Sequence, residues 1–327
     1  MTGTIPPVAL VPVLLDKPWG GDARARWRLP EAPRARSGEA GMVADIAHTS
    51  AGGAGGGAFH SLIANGPVRT WSLRDAAHEW PGGLTGAGAE AEHPLLVKLL
   101  HAKEHLSVQV HPSPAYAASH PEARLKAESW YVLHAEPGAE LFLGLAPGTT
   151  AADAIALAGE GRIAEVLRRV PAVAGDCHTL PSGMVHAMGA GVVIAEVQSA
   201  SDTTFRLYDW AKEYARTPRT LHLAEALNAM LPDAAATTVC AAVPPSGVRE
   251  HRQGVGTTPP NRIEQRYLAP GVASAVPPGA IVLAISGFAV MNDVAVTPSQ
   301  AVFARGGASL ITPSNRSLTW LEATLPE

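Results

Sequence analysis

Turn formers limit what this chain can fold into more than any other feature. Glycine occurs 32 times and proline 28 times in 327 residues. A chain so often interrupted leaves little room for a long-helix bundle and predicts many short elements joined by tight turns. The apolar segments agree: they are short, and several alternate apolar with polar residues, the period of a strand with one buried face. Hydrophobic residues make up 46% of the chain, enough for a real core. The length suits one large domain or two modest ones.

The charge pattern narrows the partners. Lys and Arg number 25 against 29 Asp and Glu, a net charge of −4, which is no electrostatic footprint for nucleic acid. No apolar run approaches the roughly 20 residues of a membrane helix. The apolar patch Val8 to Leu15 lacks a basic start and has prolines around it, so it makes a poor secretory signal. Cys177 and Cys240 are too few and too far apart for a disulfide framework or a cysteine zinc site. A cytoplasmic globular protein is expected, with neither nucleic acid nor membrane as a partner.

Along the chain, the glycines at 52, 53, 55, 56 and 57 read as a surface loop; no Gly-Lys-Ser/Thr ending supports a phosphate loop. Leu95 to Leu100 is an apolar run broken by Lys98. Leu106 to His111 alternates as a strand, ended by Pro112 and Pro114. Glu128 to Leu133, Val192 to Gln198 and Thr203 to Tyr208 are further strand candidates. Thr150 to Val170 reads as helical, with Thr150 and Asp153 in a capping-box pattern and Ile163, Val166, Leu167 and Val170 at helical spacing. His222 to Met230 reads as a short helix, and Leu231 to Arg262 as a connection with one strand at most. From Ile263 onward, short apolar runs alternate with turns as an all-β piece.

Several segments carry chemistry. In Ser107-Val108-Gln109-Val110-His111 the polar side chains share one strand face, which needs water, partners or a ligand if buried; an ordinary solvent-facing strand explains the alternation equally well. Gly175-Asp176 followed by Pro181, Gly183 and His186 has the offsets of the second short cupin motif, in which a Pro-Gly turn presents a histidine at the start of a strand. Lys126 and Glu128 share a face just before an apolar run, although such pairs are usually surface pairs of little worth. In Asp202-Thr203-Thr204-Phe205-Arg206-Leu207-Tyr208, an inward Arg206 needs an anion, because its charge cannot be titrated away; a salt bridge to Asp202 or Asp209 is the plainer account.

These segments occur in a fixed order, and Lys17-Pro18-Trp19-Gly20-Gly21 precedes them. Together they resemble the type I mannose-6-phosphate isomerases of the cupin superfamily, most closely the shorter bacterial branch, over Pro12 to about Leu227. The resemblance implies a mostly β fold of tandem cupin-like (jelly-roll) β-barrels with inserted helices. A catalytic cupin domain with a helical insertion is expected over 1–230 and a smaller non-catalytic cupin-like domain over 231–327. It implies one Zn2+ held by Gln109, His111, Glu128 and His186, a donor set suited to a borderline metal. Arg206, Lys126 and Asp202 are the implied catalytic residues, and Ser107, Lys126 and Arg206 line the substrate cavity. The implied partner is a small-molecule sugar phosphate, and the implied reaction interconverts mannose 6-phosphate and fructose 6-phosphate through a cis-enediol. The family's early Gly-Glu-x-Trp block stands here as Gly38-Glu39-Ala40-Gly41-Met42, without the Trp.

Other readings remain at this point. A different cupin metalloenzyme, such as a non-heme iron oxygenase or an enzyme of another sugar, normally offers His-x-His where Gln109 stands. A non-catalytic sugar-binding module predicts an incomplete ligand set. His101, His105, His120, His134, His178 and His222 lie near the motifs and are left outside the metal set, with His178 the first to check. The proton-transfer group is open between Asp202, Lys126 and a metal-bound water, and Arg206 serves either the enediolate or the phosphate.

Overall fold

The computed structural model describes residues 6–21, 38–46, 59–85, 88, 92–258, 261–298 and 300–325. The glycine-rich loop at 52–57 lies outside the described residues. The chain builds two antiparallel β sandwiches, each pairing a seven-stranded sheet with a smaller one. This is the mostly β, tandem architecture that the family resemblance implies.

The first sandwich carries the motif residues. Its large sheet runs, from one edge, Val13–Leu15, Glu39–Val43, Leu95–Ala102, Val192–Ser199, Glu128–Ala135, Asp176–Leu180 and Thr237–Cys240. The facing sheet runs Phe205–Tyr208, Val108–Val110, His186–Met188, Glu140–Leu145 and Leu167–Pro171. Between them Trp19, Leu100, Trp130, Val132, Leu141, Leu143, Met188 and Ile194 form a buried apolar layer. In the second sandwich, the large sheet includes Glu250–Thr258, Asn261–Leu268, Ala280–Gly287 and Leu318–Thr324. The small one is made from Ala273–Val276, Ala289–Met291, Val294–Val296 and Ala308–Ile311.

The halves exchange strands. Val8–Val11, near the start of the chain, pairs with Ala301–Ala304, with Val8 opposite Phe303. Thr237–Cys240 adds to the edge of the first sandwich beside Asp176–Leu180. The two large sheets also stack back to back over one core that takes Leu95, Val97, Leu99, Tyr131, Ala195 and Val197 from the first and Val8, Leu10, Ile263, Ile281, Phe303 and Leu321 from the second. Tyr131 donates its hydroxyl hydrogen across this seam to Gln265 Oε1 at 3.0 Å.

The stacking explains the sequence of the central strands. A strand covered on both faces reads as a nearly continuous apolar run. In Glu128–Ala135, Ser129 and Tyr131 point toward the second sandwich, and Glu128, Trp130 and Val132 point into the first. Helices Ala151–Gly159 and Leu223–Ala229 cover the outer face of the small sheet through Val108, Val110, Phe205 and Leu207.

Two expectations need correction. The helix read over Thr150 to Val170 is capped as expected by Thr150 and Asp153 but ends at Gly159. Gly161 takes a left-handed φ of 75°, a conformation that breaks the helix and suits glycine. A single 3-10 turn follows, and Leu167–Pro171 is a strand paired with Glu140–Leu145. Ile163 and Leu167 do pack inward, but from two different elements. The stretch Leu231 to Arg262 holds the strands Thr237–Cys240 and Glu250–Thr258 and the start of a third. Much of Glu250–Thr258 is polar because that strand alternates exposed with half-buried residues at a sheet edge. No helix among the described residues is long and apolar enough to cross a membrane.

Because Phe303 is 1% exposed in the core shared by both sandwiches, Phe303→Ala should cost about 3–5 kcal/mol. Denaturant melts should show one shifted transition, with fluorescence and circular dichroism moving together; an early loss of the second sandwich alone would reject a shared core.

Candidate metal centre

Four strands and one turn bring the site together. His186 lies directly opposite Gln109 on one side, and Arg206 lies opposite Gln109 on the other. Directly opposed residues share a face, so His186, Gln109 and Arg206 form a row across the small sheet. The large sheet supplies Glu128 from across the barrel, with Gln198 opposite it on the next strand. Lys126 sits just before that strand. His111, Glu128, Lys126, His186 and Arg206 are all 5% exposed or less.

His111 Nε2 lies 3.1 Å from Glu128 Oε1, and His186 Nε2 lies 3.6 Å from Glu128 Oε2. Lys126 Nζ is 2.7 Å from Glu128 Oε1. The two imidazole rings are 4.8 Å apart, and Trp130 meets His186 edge-on at 5.3 Å. One ligand atom from each of His111, Glu128 and His186 falls within 4.8 Å of the others. No other metal-type cluster of His, Cys, Asp or Glu occurs among the described residues.

The outer partners fix which nitrogens face the centre. His111 Nδ1 lies 2.8 Å from the Thr203 carbonyl, and His186 Nδ1 lies 2.9 Å from the Met184 carbonyl. A carbonyl can only accept, so each Nδ1 carries the proton and donates it, leaving a lone pair on Nε2. Burial, then the Lys126 charge, holds His111 down at about 3, and burial pushes His186 below its ordinary value. Both imidazoles are therefore neutral near pH 7. Burial would raise the Glu128 carboxyl, but Lys126 and the His111 contact keep it well below the usual range.

With the proton on Nδ1, His111 Nε2 has no hydrogen to give Glu128, and neither it nor Glu128 Oε2 makes a hydrogen bond, while Lys126 takes up Oε1. Buried polar atoms left in this way are costly, and here they converge with the lone pair of a second imidazole. Nitrogen and carboxylate donors around one point fit a divalent ion such as zinc. Gln109 Nε2 is 3.2 Å from His186 Nε2, and Gln109 Oε1 accepts from Ser107 Oγ at 3.3 Å. Turning the terminal amide over exchanges its oxygen and nitrogen, and the Ser107 hydroxyl can serve either. The Gln109 oxygen is thus within a side-chain rotation of the cluster.

Arg206 is buried and, among the described residues, pairs with no carboxylate. Its Nη1 donates to the Thr220 carbonyl at 2.8 Å and its Nε has no partner. Burial, then the nearby Arg219, pushes it down to about 10, so it stays charged at neutral pH. The salt bridge open to it from sequence does not form: Asp209 pairs with Arg219. Asp202 lies half-buried in the turn before Arg206. That turn is pinned by Gln198 Nε2, which donates to the Ser199 and Ser201 carbonyls at 2.9 and 2.7 Å. Of the histidines left outside the metal set, His178 is fully buried with Nδ1 2.9 Å from Thr238 Oγ1, and none of them joins the cluster.

Sequence reasoning missed the charged residues behind the cluster. Lys98 stands directly opposite Glu196, which stands opposite Trp130. Lys98 Nζ is 3.5 Å from both Glu196 Oε2 and Glu39 Oε1, and Lys17 Nζ is 3.1 Å from Glu39 Oε2. The Trp130 indole donates to Glu196 Oε1 at 2.9 Å. Burial and the Glu128 charge push Glu196 up to about 7, against the pull of Lys98. Burial also acts on Glu39, but Lys98 and then Lys17 bring it down to about 2. The block that lacks its Trp therefore keeps Glu39 at the heart of this network.

A buried His–Glu–His cluster with the donor chemistry of a divalent-ion site, inside the first of two β sandwiches, is the arrangement of a cupin-like fold with a metal-type site. No protein-family profile matches the chain. It is 35% identical over 227 residues, covering 69% of the chain and 68% of the relative, to mannose-6-phosphate isomerase ManA of Bacillus subtilis. It is 36% identical over 171 residues to the mannose-6-phosphate isomerase of Streptococcus mutans, covering 52% of the chain and 54% of that protein. Its fold matches the crystal structure of the Bacillus subtilis mannose 6-phosphate isomerase with a TM-score of 0.78 at 24% identity, over 98% of this chain and 100% of that one. The chain belongs to the mannose-6-phosphate isomerase family, and it is an enzyme of that isomerase class.

The depressed Glu39 carboxyl has a pH signature. Its value is near 4.5 when unfolded and about 2 when folded, so its contribution is full above about 4.5 and is lost as pH falls toward 2. Glu39→Gln should lower the melting temperature at pH 6 to 7, and the gap to wild type should narrow through that acid window. A gap that stays constant with pH would show that the Glu39 charge contributes nothing.

Proposed function

We propose that the chain interconverts mannose 6-phosphate and fructose 6-phosphate using zinc held by Gln109, His111, Glu128 and His186. The observation that carries this reading is the convergence of three buried ligand atoms, one each from His111, Glu128 and His186, within 4.8 Å of one another, with the lone pair of each imidazole Nε2 turned toward the carboxylate. A solved mannose 6-phosphate isomerase bound with zinc and yttrium shares the fold, with a TM-score of 0.67 at 16% identity over 99% of this chain and 100% of that one. All the residues given a role lie within 1–230. We assign 231–327 the part of a smaller non-catalytic unit that backs the first barrel's large sheet.

Aldose–ketose isomerisation moves a proton between C1 and C2 through a cis-enediol, and the developing enediolate charge must be stabilised. Bound zinc supplies Lewis-acid polarisation of the sugar oxygens. Arg206 supplies a fixed positive charge with one face free, since no carboxylate neutralises it. Ser107, beside Gln109 on the same strand face, donates or accepts a hydrogen bond at the sugar. Lys126 stabilises negative charge from its seat against Glu128, where it also keeps that carboxylate ionised. The walls around Trp130 exclude water.

Proton transfer needs a carboxyl that changes state near the working pH. Asp202 was read for this part from sequence, and its turn sits beside the Thr203 carbonyl that orients His111. Glu196 is a second carboxyl inside the barrel, held by the Trp130 indole and Lys98. We keep Asp202 as the proton-transferring residue, on the turn beside the cluster, and give Glu196 the part of a buried carboxyl behind it.

The test is a coupled assay of mannose 6-phosphate conversion before and after chelation, with zinc added back. His186→Ala should lose metal by elemental analysis. Arg206→Ala should retain metal yet lose turnover by on the order of a hundredfold. Activity that survives complete metal removal, or a wild-type rate in Arg206→Ala, would reject the reading. Asp202→Asn should keep its metal and lose turnover; a wild-type rate in Asp202→Asn together with a large loss in metal-loaded Glu196→Gln would move the proton-transfer role to Glu196.

A further inference from the structure

After Tyr208 the chain leaves the small sheet, loops over residues 209–221 and returns to the strand it left. His222 N donates to the Arg206 carbonyl at 2.8 Å, and Arg206 N donates to His222 Nδ1 at 3.1 Å. The strap therefore begins and ends at Arg206. Its neck is closed by Asp209, which is 3% exposed. The Asp209 carboxylate accepts from Arg219 N at 3.0 Å and from Arg219 Nε at 2.7 Å, and also pairs with Arg219 Nη2. The next carbonyl along the chain is that of Thr220, the one that holds Arg206 Nη1.

We propose that Arg219, closed on Asp209, is a positioning residue for Arg206: it fixes the Thr220 carbonyl that aims the guanidinium. The inference rests on the reading of Arg206 as a group that acts on the substrate. Arg219 Nε and Nη2 both meet Asp209 Oδ1 while the Arg219 backbone N–H takes Oδ2, an arrangement geometrically more exacting than a single contact. It sits one residue from the only protein group that holds the Arg206 side chain by a hydrogen bond among the described residues. Packing holds the stem of Arg206, which is 5% exposed, but the Thr220 carbonyl is what fixes the direction of its guanidinium, whose Nε is left without a partner.

The rest of the strap has its own anchors. Trp210 Nε1 donates to the Leu106 carbonyl at 2.8 Å, His105 N donates to the Tyr214 hydroxyl at 3.1 Å, and Arg216 lies 2.9 Å from Glu104. Trp210 and Ala215 hold left-handed φ values of 53° and 48°, conformations that persist in non-glycine residues only where the surroundings enforce them. Opening the Asp209–Arg219 neck leaves these contacts in place, so its effect falls on Thr220 and Arg206 and not on the fold as a whole.

The experiment compares Arg219→Gln, Arg206→Ala and the double variant as full-length, zinc-loaded proteins, with metal content and melting temperature measured alongside kcat and KM. Arg219→Gln should keep its metal and lose activity on the order of tenfold, with the loss falling on the same constant, kcat or KM, as in Arg206→Ala. The double variant should be no worse than Arg206→Ala, because the neck has nothing left to position. Arg219→Lys, which keeps the charge and one bond, should recover part of the loss, and it stands in for the glutamine variant if that fails to fold. A wild-type rate in Arg219→Gln, or a loss that adds in full to that of Arg206→Ala, overturns the proposal while leaving the role of Arg206 intact. A wild-type rate in Arg206→Ala removes the underlying reading and this proposal with it.

Discussion

Everything at this site depends on keeping one carboxylate, Glu128, ionised inside a protein. An isolated buried carboxylate is so costly that it normally takes up a proton. Here the strand that carries it is covered on both faces, and Glu128 is 1% exposed. Lys126 at 2.7 Å supplies the opposing charge, and two imidazoles stand on its other side. That pair takes up Oε1 and leaves Oε2 without a hydrogen bond. This surplus acceptor capacity, next to nitrogens locked as acceptors by the Thr203 and Met184 carbonyls, gives the place the donor chemistry of a cation site.

The stacked sheets are what make this burial possible. A single sandwich leaves the outside of its large sheet to solvent, and the polar members of its inner face then lie one layer from water. Backing that sheet with a second sandwich turns Leu95, Val97, Leu99 and Val197 into core residues. The same strands then carry Lys98, Glu196 and Glu128 inward. The exchange of Val8–Val11 into the second sandwich and of Thr237–Cys240 into the first ties the two layers by backbone hydrogen bonds as well as by side-chain packing.

Much of this was legible in the chain because strand period and turn chemistry are local. The alternation at Ser107, Gln109 and His111 was visible, and so was the Pro-Gly turn before His186. Nothing local joins His111 to Glu128 or either to His186; only the ordered resemblance brought those positions together. The network of Lys17, Glu39, Lys98 and Glu196 left a weaker trace. Lys98 interrupts Leu95 to Leu100 and Glu196 interrupts Val192 to Val197, each a lone charge in a run apolar on both faces. Such a charge must find a partner of opposite sign, and the two lie directly opposite each other. The helix read through Val170 failed for a different reason: apolar residues three or four apart occur equally where a helix, a turn and a strand each contribute one, and Gly159 and Gly161 were the breakers that mattered.

The charge pattern of the interior also bears on the kind of sugar the site suits. Lys17 and Lys98 are set against Glu39 and Glu196, Lys126 against Glu128, and Arg219 against Asp209. Arg206 stands outside these pairs, buried beside Gln109 with only a carbonyl for company. A permanently charged guanidinium held in that state is destabilised until an anion arrives, and a divalent ion added to the His111–Glu128–His186 cluster increases the positive excess. A neutral sugar leaves that excess in place. A negatively charged group brought beside Arg206 offsets that excess, and that preference for an anion is what the unneutralised guanidinium contributes to the pocket.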